Sequence, residues 1–152
     1  MNEVSTNTNT DVQVVQGADG KFTRRAIYQA FSSVKAETKE QKIKLLNLLE
    51  SDDIAVPMND SIGSQIEVQN VILSPYDSID EETGEITSGV LTYLIDPKGV
   101  AYVTSSKSVY FSVKRVFQVF GEAPYSGDDL VKVEVVKKQG KQFKYTDIKV
   151  IG

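Results

Sequence analysis

The sequence predicts a mainly β fold with helices, of the α+β class. From residue 65 onward, alternating apolar residues and turn residues predict strands at Gln65–Leu73, Val90–Ile95 and Val100–Thr104. A helix ending at Phe120 and two further strands follow. The order strand, strand, strand, helix, strand, strand is the chain path of an OB-fold, a small five-stranded barrel. We therefore predict an OB-fold five-stranded barrel with a helix between strands three and four.

The chain of 152 residues has the length of one domain. Residues 1–11 are polar and bury too little apolar surface to become ordered, so we predict a flexible tail. Residues 12–64 are predicted to be a strand and helix extension packed on the barrel or extending it. Residues 65–152 are predicted to form the OB-fold core.

The N-terminal extension contains three recognisable patterns. Val12–Gln16 predicts a short strand, and residues 21–34 suit a buried strand or a short helix, of which we favour the strand. Thr38 and Gln41 have the spacing of a capping box, and a leucine-rich stripe follows them. This combination predicts a helix of about three turns that ends near Ser51.

The first core strand is preceded and followed by polar segments. Residues 52–63 are predicted to be a linker, and a break of alternation at Gln69-Asn70 predicts a bulge in the strand. Ser74–Gly89 carries five carboxylates around Gly84 and is predicted to be a long, exposed hairpin loop. Because the regular ligand spacing of an EF-hand is missing, a solvated loop is favoured over a calcium site.

Strands two and three are predicted to form a hairpin. The Asp96–Gly99 segment fits a type I turn followed by a glycine with positive φ. This turn places Leu94 opposite Tyr102 and Tyr93 opposite Val103. The two tyrosines therefore lie on opposite faces, and the sequence leaves open which one faces solvent.

The helix after the third strand is predicted to close the bottom of the barrel. Ser105 or Ser106 provides its N-cap, and Gly121 ends it. Tyr110 and Phe111 are interpreted as packing residues. The apolar face consists of Val109, Val113, Val116, Phe117 and Phe120.

A second hairpin ends the sequence. Gln139-Gly140 is predicted to be a two-residue loop between strands Leu130–Lys138 and Lys141–Ile151. This register places Lys132 opposite Asp147 as a cross-strand ion pair on the solvent-facing side.

Two aromatic rings, Phe143 and Tyr145, are predicted on that same side. They could pack beneath the N-terminal segment or the helix that follows Thr38. Alternatively they are stacking platforms for bases, with neighbouring ammonium groups that neutralise phosphates. The sequence leaves both interpretations open.

Charge is segregated along the chain. The net charge is −4, and the absence of Cys and His argues against disulfides, common zinc sites and most catalytic classes. Between Glu37 and Leu91 there are twelve acidic residues and three lysines, whereas Leu130–Gly152 holds six lysines and two acidic residues. A basic surface is therefore expected at the end of the chain.

Two segments carry a family resemblance, "LIDPKGVAYVTSSKSVYFSVKRVFQVF" and "VKVEVVKKQGKQFKYTDIKV". Their order of D-x-x-G hairpin, tyrosine-bearing strand, Ser-Lys-Ser helix start and basic hairpin resembles the OB-fold single-stranded DNA-binding proteins of phages and conjugative plasmids of Gram-positive bacteria. The resemblance implies that Tyr102 is the exposed ring of its hairpin and that Lys107 lies near the bound strand.

We therefore predict a non-catalytic, sequence-tolerant protein that protects single-stranded DNA during replication or transfer of a phage or plasmid, without a cofactor or metal. RNA is an additional possible ligand. The alternative is a protein–protein interaction module that docks on a host or replisome protein through its acidic loop and exposed rings. The predicted binding residues are Tyr102, Lys107, Lys132, Lys138, Lys141, Phe143, Lys144, Tyr145 and Lys149, with Arg24 and Arg25 as a secondary patch.

Two further expectations concern the N-terminus. Residues 12–15 form an apolar segment that could pair with an exposed strand of a second molecule, which predicts self-association through an N-terminal arm. Met1–Thr10 has no cationic start and no apolar block. This predicts a location in the cytoplasm of the host bacterium, without a membrane contact.

Overall fold

The computed structural model describes residues 12–16, 22–26, 28–51 and 53–152. The predicted tail at residues 1–11 lies outside these ranges. Within them the chain forms ten strands and two helices. In chain order these are β1 Val12–Gln16, β2 Phe22–Ala26, β3 Phe31–Ser32, α1 Lys39–Glu50, β4 Val56–Pro57, β5 Gln65–Val68, β6 Asn70–Ile79, β7 Ile86–Ile95, β8 Ala101–Thr104, α2 Lys107–Phe120, β9 Val131–Gln139 and β10 Lys144–Val150.

The described strands form three sheets. β1 and β2 pair in an antiparallel two-stranded sheet, β10, β9 and β5 form a second, and β3, β6, β7, β8 and β4 form a third in that order. Only Gln69 separates β5 from β6, and its N–H donates to the carbonyl of Ile95 at 2.9 Å. The sequence break at Gln69-Asn70 therefore marks the passage of the chain from one sheet to the next, not the predicted bulge within a single strand Gln65–Leu73.

The predicted class is confirmed, but the closed barrel is not. In the part of the chain that the structure describes, the strand pairings leave the two larger sheets open. The edge of β8 is occupied by β4, which pairs with it in parallel, Val56 beside Tyr102. This edge is therefore not available to β10, which remains in the other sheet with β9 and β5.

The main core lies between the two larger sheets and α2. Buried residues alternate along β5 and β9, as a sheet with one buried face requires. The helix adds Tyr110, which is fully buried. The most buried members of this core are Met58, Ile66, Val71, Val90, Leu94, Val109, Val131, Val133 and Val135.

Helix α1 covers the other face of the five-stranded sheet. Its half-buried Leu45 and Leu48 pack against a small cluster that contains Ile72 and Tyr93. Tyr93 is only 3% exposed, whereas Tyr102 on the opposite face is half-buried. Of the two tyrosines whose orientation the sequence left open, Tyr102 is therefore the more accessible.

The helix boundaries follow the sequence signals. Thr38 is the N-cap of α1 and forms the predicted capping box with Gln41, and Ser51 is its C-cap. Helix α2 begins after its N-cap Ser106 and ends at Gly121, whose φ is 87°. Both helices are confirmed in position and length.

Four segment predictions are tested by the strands. Val12–Gln16 is a strand, and the favoured strand interpretation of residues 21–34 is confirmed by β2 and β3. The predicted linker at 52–63 is wrong, because it contains β4 and a 3₁₀ turn with fully buried Met58. The predicted solvated hairpin at 74–89 is present, but it is not a long loop, since β6 and β7 continue through it to a turn at residues 80–85.

Side-chain contacts also join the two paired strands of that hairpin. The Ser88 hydroxyl donates to the Asp77 carboxylate at 2.9 Å across the two strands. Tyr76 lies directly opposite Gly89, so closely that a Cβ on the glycine would be 2.4 Å from the ring. The glycine therefore leaves space for the aromatic ring, and the acidic hairpin forms an arm. We refer to residues 74–91 as the acidic arm.

Candidate nucleic-acid interface

The terminal hairpin has a four-residue loop rather than a two-residue loop. Tyr145 lies opposite Lys138 and Asp147 lies opposite Val136, so the predicted register is wrong by four positions. Because four is an even number, each side chain stays on the predicted face of the sheet. The loop closes with the Gly140 N–H donating to the carbonyl of Phe143 at 2.9 Å.

Gly140 determines how tightly this loop folds. A Cβ at this position would lie 2.9 Å from the Phe143 carbonyl oxygen and 3.5 Å from the ring of Tyr145. The missing side chain therefore lets the loop backbone and the ring of Tyr145 approach each other.

The two aromatic residues of the hairpin differ in exposure. Phe143 is 69% exposed at the loop, whereas Tyr145 is half-buried beside Gly140. Packing beneath α1 is therefore wrong for Phe143. The ring of Phe143 is therefore accessible to a ligand, whereas the ring of Tyr145 packs beside the loop backbone at Gly140.

The lysines of the hairpin fall into two groups. Lys132 lies directly opposite Glu67, and Lys149 lies directly opposite Glu134, so a carboxylate offsets each of these charges. The segment from 137 to 145 contains four lysines and no acidic residue. We refer to residues 137–145 as the hairpin tip; its lysines are Lys137, Lys138, Lys141 and Lys144, all exposed.

Sequence reasoning missed Lys137. It lies on the face that was interpreted as the barrel interior, opposite Thr146. The strand extends past the buried core at this point, so the side chain is exposed although its face is the inward one. The signal that could have found it is the unbroken KKQGKQFKY run, in which no position is acidic.

Asp147 is buried, contrary to the predicted solvent-facing ion pair with Lys132. The residue is 4% exposed, and its carboxylate accepts hydrogen bonds from Lys138 Nζ at 2.9 Å, Ser112 Oγ at 2.8 Å and the Ile148 N–H at 2.8 Å. Burial raises the pKa of Asp147, but the hydrogen bonds from Lys138, Ile148 and Ser112 outweigh it, so the pKa is lowered. The hydrogen bond to Asp147 raises the pKa of Lys138.

The start of α2 lies against the same strand. The Ser106 hydroxyl donates to the carbonyl of Thr146 at 2.6 Å. This side chain therefore does not bond the helix backbone, although Ser106 is the N-cap. The contact places the exposed Lys107 beside β10, close to the hairpin tip.

The remaining predicted site residues lie elsewhere. Tyr102 is on β8, opposite Leu94, and its half-buried ring packs against the main core. Arg24 and Arg25 belong to β2, but their side chains lie outside the described part of the chain. Tyr102 therefore belongs to the core-facing side of β8 rather than to the terminal hairpin, and the predicted secondary patch at Arg24 and Arg25 lies outside the described side chains.

Two phenylalanines of α2 are exposed, contrary to prediction. Phe111 was expected to pack in the core and is 42% exposed, and Phe120 was expected on the apolar face and is 55% exposed. Phe120 is the last helical residue, so its ring extends beyond the core. Phe111 follows the buried Tyr110, and adjacent residues on a helix point about 100° apart.

The acidic arm has a different surface. Its turn and strands carry the carboxylates of Asp77, Asp80 and Glu81, together with Glu82 and Glu85. Within the described residues, the structure groups no three acidic side chains in a way that could hold a metal ion. Nor is any helix in the described ranges both long and apolar enough to cross a membrane.

The described fold and surface define a class of protein: a β-rich domain that presents lysines and an open aromatic ring on one hairpin, as binders of single-stranded nucleic acids do. The chain belongs to the phage single-stranded DNA-binding protein family of the phi29 type, whose family model matches residues 24–149. It is similar to the single-stranded DNA-binding protein of Bacillus phage GA-1, with 36% identity over 137 residues, 88% of this chain and 81% of that protein. No solved structure matches the chain significantly. The family resemblance of the two C-terminal segments is therefore confirmed.

Proposed function

We propose that this chain binds single-stranded DNA without catalysis and with little sequence preference, and that it coats and protects the strand during phage replication in the host cytoplasm. The observation that carries the proposal is the hairpin tip. It combines a ring that is 69% exposed with four lysines and no carboxylate. Family membership supports the same ligand.

Each part of the tip has a physical role in this proposal. Phe143 stacks on a base, and Tyr145 supports the loop and offers a second ring. Base stacking is sequence-tolerant because every base has a π face, and it contributes about 1–3 kcal/mol per base. Lys141, Lys144 and Lys137 bind phosphates and release counterions.

The other predicted residues have secondary roles. Lys138 has Asp147 as its partner, and Lys132 and Lys149 lie opposite carboxylates, so each contributes less to phosphate binding than the tip lysines. Lys107 binds a phosphate next to the tip. Tyr102 is half-buried, so only the exposed part of its ring can contact a base.

We propose that the strands follow an OB-like arrangement. This arrangement is supported by the chain path, which runs β5/β6, β7, β8, α2, β9, β10. It is also supported by the strand pairings β10-β9-β5 and β6-β7-β8. In an OB-fold the loop between strands four and five is one of the two loops that bind oligonucleotides. Here that loop is the hairpin tip, and the other such loop is the turn of the acidic arm, which repels phosphate.

The proposal is tested by fluorescence anisotropy with labelled oligo-dT and with a duplex of equal length. We expect tight binding to oligo-dT that weakens steeply as salt rises, and much weaker binding to the duplex. The double variant Lys141→Gln/Lys144→Gln should weaken binding, while Lys39→Gln/Lys42→Gln on α1 removes the same charge and should not. Equal affinity for both DNAs, or equal loss in both double variants, would contradict the proposed function or its site.

Two finer properties belong to the same proposal. RNA should bind through the same rings and lysines, because stacking and phosphate contacts exist in both nucleic acids. Self-association through the N-terminal arm is supported by β1 and β2, which within the described residues pair only with each other. Deletion of residues 1–16 should reduce the oligomer size measured by analytical ultracentrifugation, and an unchanged size distribution would count against the arm.

A further inference from the structure

Helix α2 exposes a row of side chains of which the proposed site includes only Lys107. Lys107, Phe111, Arg115 and Gln118 recur at intervals of four, four and three residues, and all four are exposed. Residues at this spacing lie on one face of a helix. The helix contains three cations and no acidic residue. We refer to these four residues as the α2 row.

The ring of Phe111 is held in place by two tyrosines. Its centroid is 5.2 Å from that of Tyr110 in an edge contact and 6.4 Å from that of Tyr28. Both tyrosines are buried, and they also contact each other at 5.0 Å. A ring that is fixed from behind and 42% exposed loses little conformational entropy when a base stacks on it.

The α2 row is continuous with the hairpin tip. Arg115 Nη2 donates to Ser112 Oγ at 3.2 Å, and Ser112 donates in turn to the Asp147 carboxylate that binds Lys138. Arg115 and Lys138 are close enough for their charges to repel each other. The intervening Asp147 is a buried residue, 4% exposed, so it does not present a negative surface between the two cationic regions.

The row also has defined ends. At its start, Ser106 bonds to the carbonyl of Thr146 and so places Lys107 beside the terminal hairpin. At its other end, the exposed Val119 and Phe120 and the acidic Glu122 interrupt the cationic surface. From Lys107 to Arg115 the row spans about 12 Å along the helix axis.

We propose that the α2 row is a second contact surface for the same DNA strand, which continues from the hairpin tip along α2. Phe111 stacks on one base, and Lys107 and Arg115 bind the flanking phosphates. This inference rests on the proposed function, because it takes single-stranded DNA as the ligand. It predicts a binding site longer than the hairpin tip by itself would occupy.

The aromatic half of the proposal is tested with Phe111→Ala and the matched control Phe120→Ala. Nine residues separate the two rings, so they project from opposite sides of α2, and Phe120 is the more exposed. We expect Phe111→Ala to weaken binding of a long oligo-dT by about 5- to 150-fold and Phe120→Ala to leave it unchanged. Because Phe111 contacts Tyr28 and Tyr110, Phe111→Leu, which keeps apolar bulk without a π face, provides the decisive comparison if the alanine variant is unstable.

The charged half is tested with Arg115→Gln, Arg115→Lys and the control Lys42→Gln on α1. Loss of one phosphate contact should reduce the slope of log K against log salt by about 0.7, and Arg115→Lys should restore it. Wild-type affinity in Phe111→Leu and Arg115→Gln, together with weaker binding in Phe143→Ala, would overturn the α2 row and leave the proposed function intact. Failure of the wild type to prefer oligo-dT over duplex would instead overturn the proposed function.

Discussion

Lys138 and Asp147 form an ion pair between the hairpin tip and the buried part of β10, with 2.9 Å between Nζ and Oδ2. The lysine side chain is 49% exposed, whereas that of the aspartate is 5% exposed. The same carboxylate accepts a hydrogen bond from Ser112 of α2. The pair therefore fixes the position of the terminal hairpin relative to α2.

Substitution of Asp147 should change stability in a pH-dependent way. Its pKa is lowered in the folded protein, so its stabilisation is present above the ordinary carboxyl pKa and is lost as the pH falls through the folded-state value. We expect Asp147→Asn to lower the free energy of unfolding at pH 7 by about 1–2 kcal/mol. The loss is this small because solvent screens the half-exposed Lys138 partner. Urea unfolding between pH 2 and pH 7 measures this, and a wild type and variant with parallel pH profiles would contradict it.

The lysines of the terminal hairpin should differ in their effect on DNA binding. Lys141→Gln and Lys144→Gln should each reduce the salt slope of oligo-dT binding by about 0.7, because both are exposed at the hairpin tip. Lys132→Gln and Lys149→Gln should reduce it less, because Glu67 and Glu134 lie opposite them. Salt titrations of the four variants decide this. Four equal slopes would show that the opposite carboxylates have no effect.

Phe143 should contribute by stacking rather than by hydrophobic contact. We expect Phe143→Ala to weaken oligo-dT binding by about 1–3 kcal/mol and Phe143→Tyr to retain most of the affinity. Phe143→Leu keeps apolar bulk without a π face and should resemble the alanine variant. Because the ring is 69% exposed, none of these substitutions should change the melting temperature much. Full affinity in Phe143→Leu would refute stacking at this position.

Helix α1 should depend on its capping box. Thr38 Oγ1 accepts from the Gln41 N–H at 3.1 Å, and the Gln41 side chain accepts from the Thr38 N–H at 3.1 Å. We expect Thr38→Ala to reduce the free energy of unfolding by about 0.5–2 kcal/mol and Thr38→Ser to restore most of it. DNA affinity, measured on the folded protein, should stay the same in both variants. The reason is that α1 packs against the five-stranded sheet, whereas the proposed site is the hairpin tip of the three-stranded sheet.

Local sequence signals were sufficient for the elements and for several turns. The Thr38 capping box and the pairing of Leu94 with Tyr102 were predicted and are present, and the N-cap position of α2 is Ser106, one of the two predicted serines. These features depend on neighbours within a few residues, so the sequence contains them directly. The lysine-rich hairpin, which carries the candidate site, was also located correctly by its composition.

The sequence by itself determined both helices, most of the strand segments and the terminal hairpin on which the cationic surface lies. Only the tertiary structure decided that Phe143 is open at a four-residue loop, that Asp147 is buried against Ser112, and that Tyr93 rather than Tyr102 is covered. An alternating pattern is unchanged by a register shift of four residues, so strand pairing cannot be read from it. Asp147 is buried because α2 packs against it, and Tyr93 is covered because α1 packs on its face of the sheet. Both helices are distant in the chain from the residues they cover, so no local pattern specifies these contacts.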